Sequence, residues 1–202
     1  MIDKLWGREY VLVNDIYCGK ILQLKGGYSS STHCHKIKQE TFYCVEGEFT
    51  LTHLGEDIKV KKGDEPITIR PGEYHSFKSK YPAEILEIST KHDDNDVYRR
   101  EDSHKLMTYC FDIDGVICSD ENGEYGKVEP NLHIIEKINE LWDEENRIII
   151  NTARGSTTKI DWRELTEKQL SSWGVKYDEL IMGKPCADLY IDDRCVNIED
   201  WA

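Results

Sequence analysis

The sequence predicts two small domains in tandem, an all-β sandwich or small barrel followed by a doubly wound α/β domain. Three observations carry this prediction. Residues 9–89 are short β-favouring runs, such as YVLV at 10–13, GKILQL at 19–24 and ITI at 67–69, broken by glycine and proline turns and free of helical periodicity. From residue 107 onward, short apolar runs alternate with stretches at helical spacing. Between the two, residues 91–105 are almost wholly polar, with only Val97-Tyr98 to pack.

That polar run cannot build a core and reads as a solvated linker, which places the boundary near Ser103 and the domains at 1–103 and 104–202. A chain of 202 residues with 39% hydrophobic content can fill two cores of this size. Lys+Arg 26 against Asp+Glu 39 leaves a net charge of −13, a field that repels phosphate backbones and anionic lipid. Nucleic acid and membrane surfaces are therefore not the expected partners, whereas a small anionic substrate is allowed where a metal or a local cation overrides the field. The amino-terminal residues lack a signal-like apolar run and no stretch reaches membrane-span length, so a cytoplasmic protein is expected. The seven cysteines are scattered without paired spacing, as expected of buried thiols rather than disulfides or a metal cluster.

In the first half, His33-Cys34-His35 is followed by Glu40 and, much later, by Pro71-Gly72-Glu73-Tyr74-His75. On a strand, positions i and i+2 share a face, so His33 and His35 can both look into a barrel while Cys34 looks out. Imidazole with carboxylate suits a divalent first-row metal. The spacing from Gly27 through His33, His35 and Glu40 to Gly47 resembles the first cupin motif, and residues 71–75 resemble the core of the second, with Ser79 where an asparagine is usual. The resemblance implies a jelly-roll barrel with His33, His35, Glu40 and His75 as ligands of Zn, Mn, Fe or Ni, and a homodimer formed through the barrel. The runs WGREY at 6–10 and KGGYS at 25–29 are similar to the cupin part of mannose-6-phosphate isomerase-type proteins, which implies a sugar isomerase or epimerase, or a ligand-binding barrel without turnover.

The second half opens on YCFDIDGV at 109–116, a short strand that delivers Asp112 and Asp114 into a glycine turn at its carboxyl end, where open α/β sheets place their ligands. Residues 130–142 carry apolar side chains at helical spacing, with Pro130 suited to the first turn. A buried strand at 147–151 ends at Thr152, and a second helix over residues 161–173 stops at Gly174. Strands are expected at 179–182, leading toward Lys184, and at 188–191, leading to Asp192-Asp193. Carboxylates converging on one rim need a cation, and an all-oxygen set suits Mg²⁺.

The set Asp112-Ile113-Asp114-Gly115, Thr152, Lys184 and Asp192-Asp193 resembles the haloacid-dehalogenase (HAD) phosphatases, which have a Rossmann-like fold. The resemblance implies Asp112 as nucleophile, Asp114 as general acid and base, and Thr152 with Lys184 as stabilisers of the phosphoryl oxygens. It also implies a Mg²⁺ site from Asp112, Asp114, Asp192 and Asp193. Thr152-Ala153-Arg154-Gly155 is similar to the variant of that family found with capsule or surface-sugar biosynthesis, and makes Arg154 and Gly115 candidate substrate contacts. The gaps from Gly115 to Arg147 and from Gly155 to Lys184 hold one helix each and leave no room for an inserted cap, so the cupin or a second subunit is the candidate closure. The expected activity is a bifunctional one, a phosphatase joined to a cupin that rearranges or binds a small phosphorylated sugar or polyol. The alternatives are a phosphatase with a binding or dimerisation module, and phosphotransfer to an acceptor other than water.

Overall fold

The structure, a computed structural model, describes residues 1–201; the expected domain end at residue 202 lies outside the described residues. The chain divides into two compact units, with the break between Met107 and Thr108 rather than after residue 103. The helices are short, and among the described residues none is long and apolar enough to cross a membrane.

The first unit contains, in chain order, β1 (Ile2–Lys4), β2 (Gly7–Asn14), β3 (Tyr17–Leu24), β4 (Tyr28–Ser29), β5 (Thr32–Cys34), β6 (Glu40–Glu46), β7 (Glu48–His53), β8 (Glu56–Lys61), β9 (Ile67–Ile69), β10 (His75–Ser79), β11 (Ala83–Thr90), β12 (Tyr98–Glu101) and β13 (His104–Lys105). They form two antiparallel sheets. One runs β1-β2-β3-β11-β6-β9; in the other, β10 lies between β7 on one edge and β5 and β4 on the other. The expected sandwich or barrel is a mostly β jelly roll.

Alternation along the strands fills the interior. Leu22, Leu24, Phe42, Cys44 and Ile85 from the first sheet meet Phe49, Leu51 and Phe77 from the second, and Trp6 stands edge-on to Phe77 with ring centroids 4.8 Å apart. Gly47, the last residue of the glycine-spaced motif, has φ +75°, and a Cβ there would come within 2.8 Å of the Pro82 carbonyl oxygen. Only glycine fits that turn.

The polar run after β11 is not a solvated linker. β12 pairs with β5 and β13 pairs with β4, so residues 98–101 and 104–105 extend the second sheet. Backbone hydrogen bonding, which polarity does not forbid, decides the fate of this segment. A 3-10 turn at Asp94–Asp96 precedes β12 and buries Asp96.

The second unit is α/β. β14 (Thr108–Phe111), β15 (Arg147–Thr152) and β16 (Glu179–Met182) form a parallel sheet in that order. α1 (Leu132–Asp143) and α2 (Arg163–Ser172) are the two crossovers, one helix in each gap as the spacing predicted, and a short α3 (Ile198–Trp201) follows. Ile134, Ile135 and Ile138 of α1 and Leu170 of α2 bury against Ile148 and Ile150. The side chain of Asn131, not Pro130, caps α1 by accepting from the Ile134 N–H, so Pro130 lies outside the first turn. At the end of α2 the Val175 N–H bonds to the Leu170 carbonyl and the Gly174 N–H to that of Ser171, a Schellman cap with Gly174 at φ +70°.

Two expectations fail here. Residues 188–191 form no strand: Leu189 and Ile191 lie in solvent, and the Tyr190 hydroxyl donates back to the Pro185 carbonyl, folding the segment on itself. Without that strand the sheet advances in one direction and has no reversal of order, so the described sheet is not doubly wound.

Candidate metal centre and a second charged site

The first site is built at one end of the barrel. His33 is the middle residue of β5, His35 follows that strand, Glu40 opens β6 and His75 opens β10. Antiparallel register sets His75 directly opposite His33, which brings the two distant motifs together. One ligand atom from each of the four residues lies within 4.8 Å of the others, and among the described residues this is the one such gathering of metal-ligating side chains. Cys34 turns the other way and is buried outside the cluster, as alternation requires.

The protonation pattern of the three imidazoles is fixed by the backbone. Nδ1 of His33 lies 2.8 Å from the Ser31 carbonyl oxygen, Nδ1 of His35 lies 2.6 Å from that of Asp96, and Nδ1 of His75 lies 3.1 Å from that of Glu73. A carbonyl can only accept, so each Nδ1 carries a proton, and Nε2 is the nitrogen each ring turns to the site. Burial, aided by His75, holds the His33 pKa down at about 3, and burial likewise lowers that of His35.

Glu40 Oε2 and His75 Nε2 are fully buried, 2.9 Å apart, and lack a hydrogen-bond partner. Two lone pairs facing each other in a dry interior cost energy unless a cation lies between them. The donor set, three imidazole nitrogens and a carboxylate, suits a first-row divalent metal, and the orphaned pair is the observation that the residues fit one.

Sequence reasoning missed the charges behind these ligands. Lys38, 3% exposed, donates to Glu40 and to Glu87, the latter at 2.5 Å. Lys20 continues the chain, 3.8 Å from Glu87 and 3.7 Å from Glu9, and the Ser89 hydroxyl donates to Glu87. Burial alone would lower the Lys38 pKa, but Glu87 and Glu40 outweigh it and hold it above its ordinary value. The signal was available: Lys20, Glu87 and Ser89 occupy inward positions of β3 and β11 in step with Leu22 and Ile85, so the polar residues break an apolar alternation.

The second site lies at the carboxyl ends of the three parallel strands. Asp112 follows β14, Thr152 ends β15 and is fully buried, and Lys184 follows β16. Lys184 Nζ is 2.5 Å from Asp112 Oδ2, and the Gly183 and Lys184 N–H groups both donate to the Thr152 carbonyl. The Thr152 hydroxyl accepts from the Arg154 N–H at 3.2 Å. Gly115, at φ +81°, makes the turn that follows the two aspartates.

Arg154 is not placed as a substrate anchor. Its side chain is fully buried and grips Asp114 through Nε and Nη2, with the shortest contact 2.6 Å, while Nη1 donates to Thr166 and to Gln169 at 2.7 Å. A guanidinium with every edge engaged inside the unit has no donor left for a ligand. Asp192 and Asp193 lie exposed in the segment that failed to form a strand; Asp192 accepts from the Arg194 N–H and Asp193 faces the Arg194 side chain. Among the described residues the four aspartates expected to hold Mg²⁺ do not gather as a ligand set: Asp112 and Asp114 are each paired with a cation of the chain, and Asp192 and Asp193 lie in the exposed segment. The residues as placed do not fit that ion.

Comparison with known proteins bears on the first unit. Residues 20–89 match the cupin domain family. No curated protein matches the chain. Among solved structures, a candidate sugar phosphate isomerase from Acidithiobacillus ferrooxidans is similar at 20% identity and a TM-score of 0.36, over 39% of this chain and 53% of that one. A Vibrio cholerae protein is similar at 29% identity and 0.45, over 48% and 87%. A cupin-superfamily sugar phosphate isomerase from Silicibacter pomeroyi follows at 18% and 0.37, over 43% and 68%. The chain thus spans about half the length of the first of these, and likenesses this distant leave activity open. The family match and the paired glycine-spaced motifs on an antiparallel jelly roll identify residues 20–89 as a cupin domain.

Proposed function

We propose that the chain is a two-part processor of a small phosphorylated sugar or polyol, in which the cupin holds a divalent transition metal and binds or isomerises the ligand. The observation that carries this reading is the set of three Nε2 lone pairs and one orphaned carboxylate oxygen converging in a buried site. His33, His35, His75 and Glu40 would hold the metal. When bound, it supplies a Lewis acid able to polarise a hydroxyl or carbonyl oxygen of the sugar. The chain's own part is to orient the three rings through Nδ1 and to keep Glu40 ionised beside Lys38. The sugar assignment draws on the resemblance of residues 6–10 and 25–29 to mannose-6-phosphate isomerase-type proteins.

For the second unit, the proposal is phosphate release through Asp112. The Lys184 ammonium pairs with the Asp112 carboxylate and would meet the phosphoryl oxygens as they gather charge, and Thr152 lies on the adjacent strand end. Asp114 lies two residues beyond the proposed nucleophile and is held by Arg154; in this reading it would have to be released from that pair to pass a proton to the leaving oxygen. The Mg²⁺ expected beside it would require Asp192 to approach Asp112, so no step is assigned to that ion.

A second reading of the cupin is a binding barrel without turnover. It is favoured by the lumen itself: both buried ammoniums, Lys20 and Lys38, are tied to carboxylates and neither is free to serve as a base. Proton NMR of sugar phosphates incubated in D₂O with the metal-loaded protein separates the two. Turnover incorporates deuterium at the carbon beside the carbonyl; binding alone shifts resonances without exchange; no perturbation of any sugar or polyol phosphate would overturn the proposal.

A further inference from the structure

The loop between β5 and β6 carries a ligand at each end, His35 at its start and Glu40 at the first residue of β6. Its intervening backbone must follow one path for both side chains to reach the same point. Three consecutive N–H groups of that loop converge on a single carboxylate, that of Asp96. Lys36 N–H donates to Oδ1 at 2.9 Å, and the Ile37 and Lys38 N–H groups donate to Oδ2, each at 3.0 Å. The carbonyl oxygen of the same residue accepts His35 Nδ1–H at 2.6 Å. Asp96 is 7% exposed and lies 61 residues from His35, beyond the end of the family match, in the 3-10 turn capped by Asp93.

We infer that Asp96 is a positioning residue of the metal centre, and that the metal-holding unit extends past β11 to include this turn. Its carbonyl sets the His35 tautomer, leaving Nε2 bare. Its carboxylate fixes the loop through a nest of charge-assisted hydrogen bonds, and that path aims Lys38 inward at Glu40. Partners of this kind hold metal ligands in their binding orientation, and their loss typically weakens metal affinity roughly 10- to 100-fold. The inference rests on the metal reading above.

The test uses the full chain and Co²⁺ alone. D96A should bind Co²⁺ about 10- to 100-fold more weakly than the unaltered protein, with changed d–d absorption bands, while D102A, at an exposed position of the same segment, should match the parent. Long-range ¹⁵N NMR of the metal-free protein supplies a readout that a merely structural role would not move. His35 should be a single Nδ1–H tautomer in the parent; D96A keeps the backbone carbonyl but frees the loop from the carboxylate, so His35 should drift from that carbonyl and become a mixture. Should D96A fail to fold, D96N, which keeps the size and one acceptor, should still bind Co²⁺ more weakly than the parent, and a folded D96N equal to the parent then overturns the inference. A parent that binds Co²⁺ together with a folded D96A of equal affinity, spectrum and tautomer overturns the inference. A parent that binds no Co²⁺ overturns the metal reading instead, and the His35 tautomer then decides the role of Asp96 separately.

Discussion

The two charged sites differ in what holds their side chains. In the cupin, each of the three clustered histidines is pinned through Nδ1 to a backbone carbonyl, so the Nε2 atoms are left to converge on Glu40. At the parallel sheet, Asp112 and Asp114 are pinned by cations, Lys184 and Arg154, so their charge is already satisfied. A backbone scaffold leaves side-chain lone pairs for a ligand; an ion-pair scaffold uses them. The first site is therefore open to a cation, whereas a ligand entering the second must compete with Lys184 for Asp112 or share it.

That contrast can be broken most forcefully at Asp112. If it is the nucleophile, D112N should lower phosphate release from a sugar-phosphate panel on the order of a thousandfold or more, with Co²⁺ binding by the cupin untouched. Release at the parental rate would remove the phosphatase from the account.

A smaller effect probes the charge behind the metal site. Lys38 is the buried partner of two carboxylates, and K38M leaves both without it. Breaking such a pair from one side costs about 3–5 kcal/mol, read as a lowered midpoint of urea unfolding for the first unit. A loss under about 1 kcal/mol, the range of exposed pairs, would show that the network is solvated.

The smallest effect contrasts the thiols. Cys18, Cys34 and Cys44 of the first unit are buried, whereas Cys110, Cys186 and Cys195 of the second are exposed and Cys118 is not. Burial, with Asp114 beside it, pushes the Cys118 thiol up to about 12. A chromogenic disulfide at pH 8 should therefore titrate three thiols in the native protein and seven in denaturant. Rapid reaction of a fourth would show that one of the two interiors opens.

Much of this was legible in the sequence because periodicity and motif spacing report on strands and on what they present. The two-residue alternation of His33 and His35, the distal His75, and the strand-end positions of Asp112, Thr152 and Lys184 all follow from local pattern. What was not legible depends on non-local hydrogen bonds. Polarity made residues 91–105 read as a linker, yet backbone N–H and C=O groups pair regardless of side chain, and β12 and β13 join the sheet. The apolar run at 188–191 read as a strand, but a strand needs a partner edge, and Tyr190 folds back on Pro185 instead. Arg154 read as a substrate contact because its partner, Asp114, lies 40 residues away.

Metal content of the intact protein tests the central claim most directly. After loading with Co²⁺ or Zn²⁺ and exhaustive dialysis, the parent and D112N should each retain about one equivalent per chain by elemental analysis, as a single four-ligand centre requires. H33A/H75A, lacking two of the ligands, should retain essentially none. A parent that retains no metal, or a double variant that retains as much as the parent, would contradict the account.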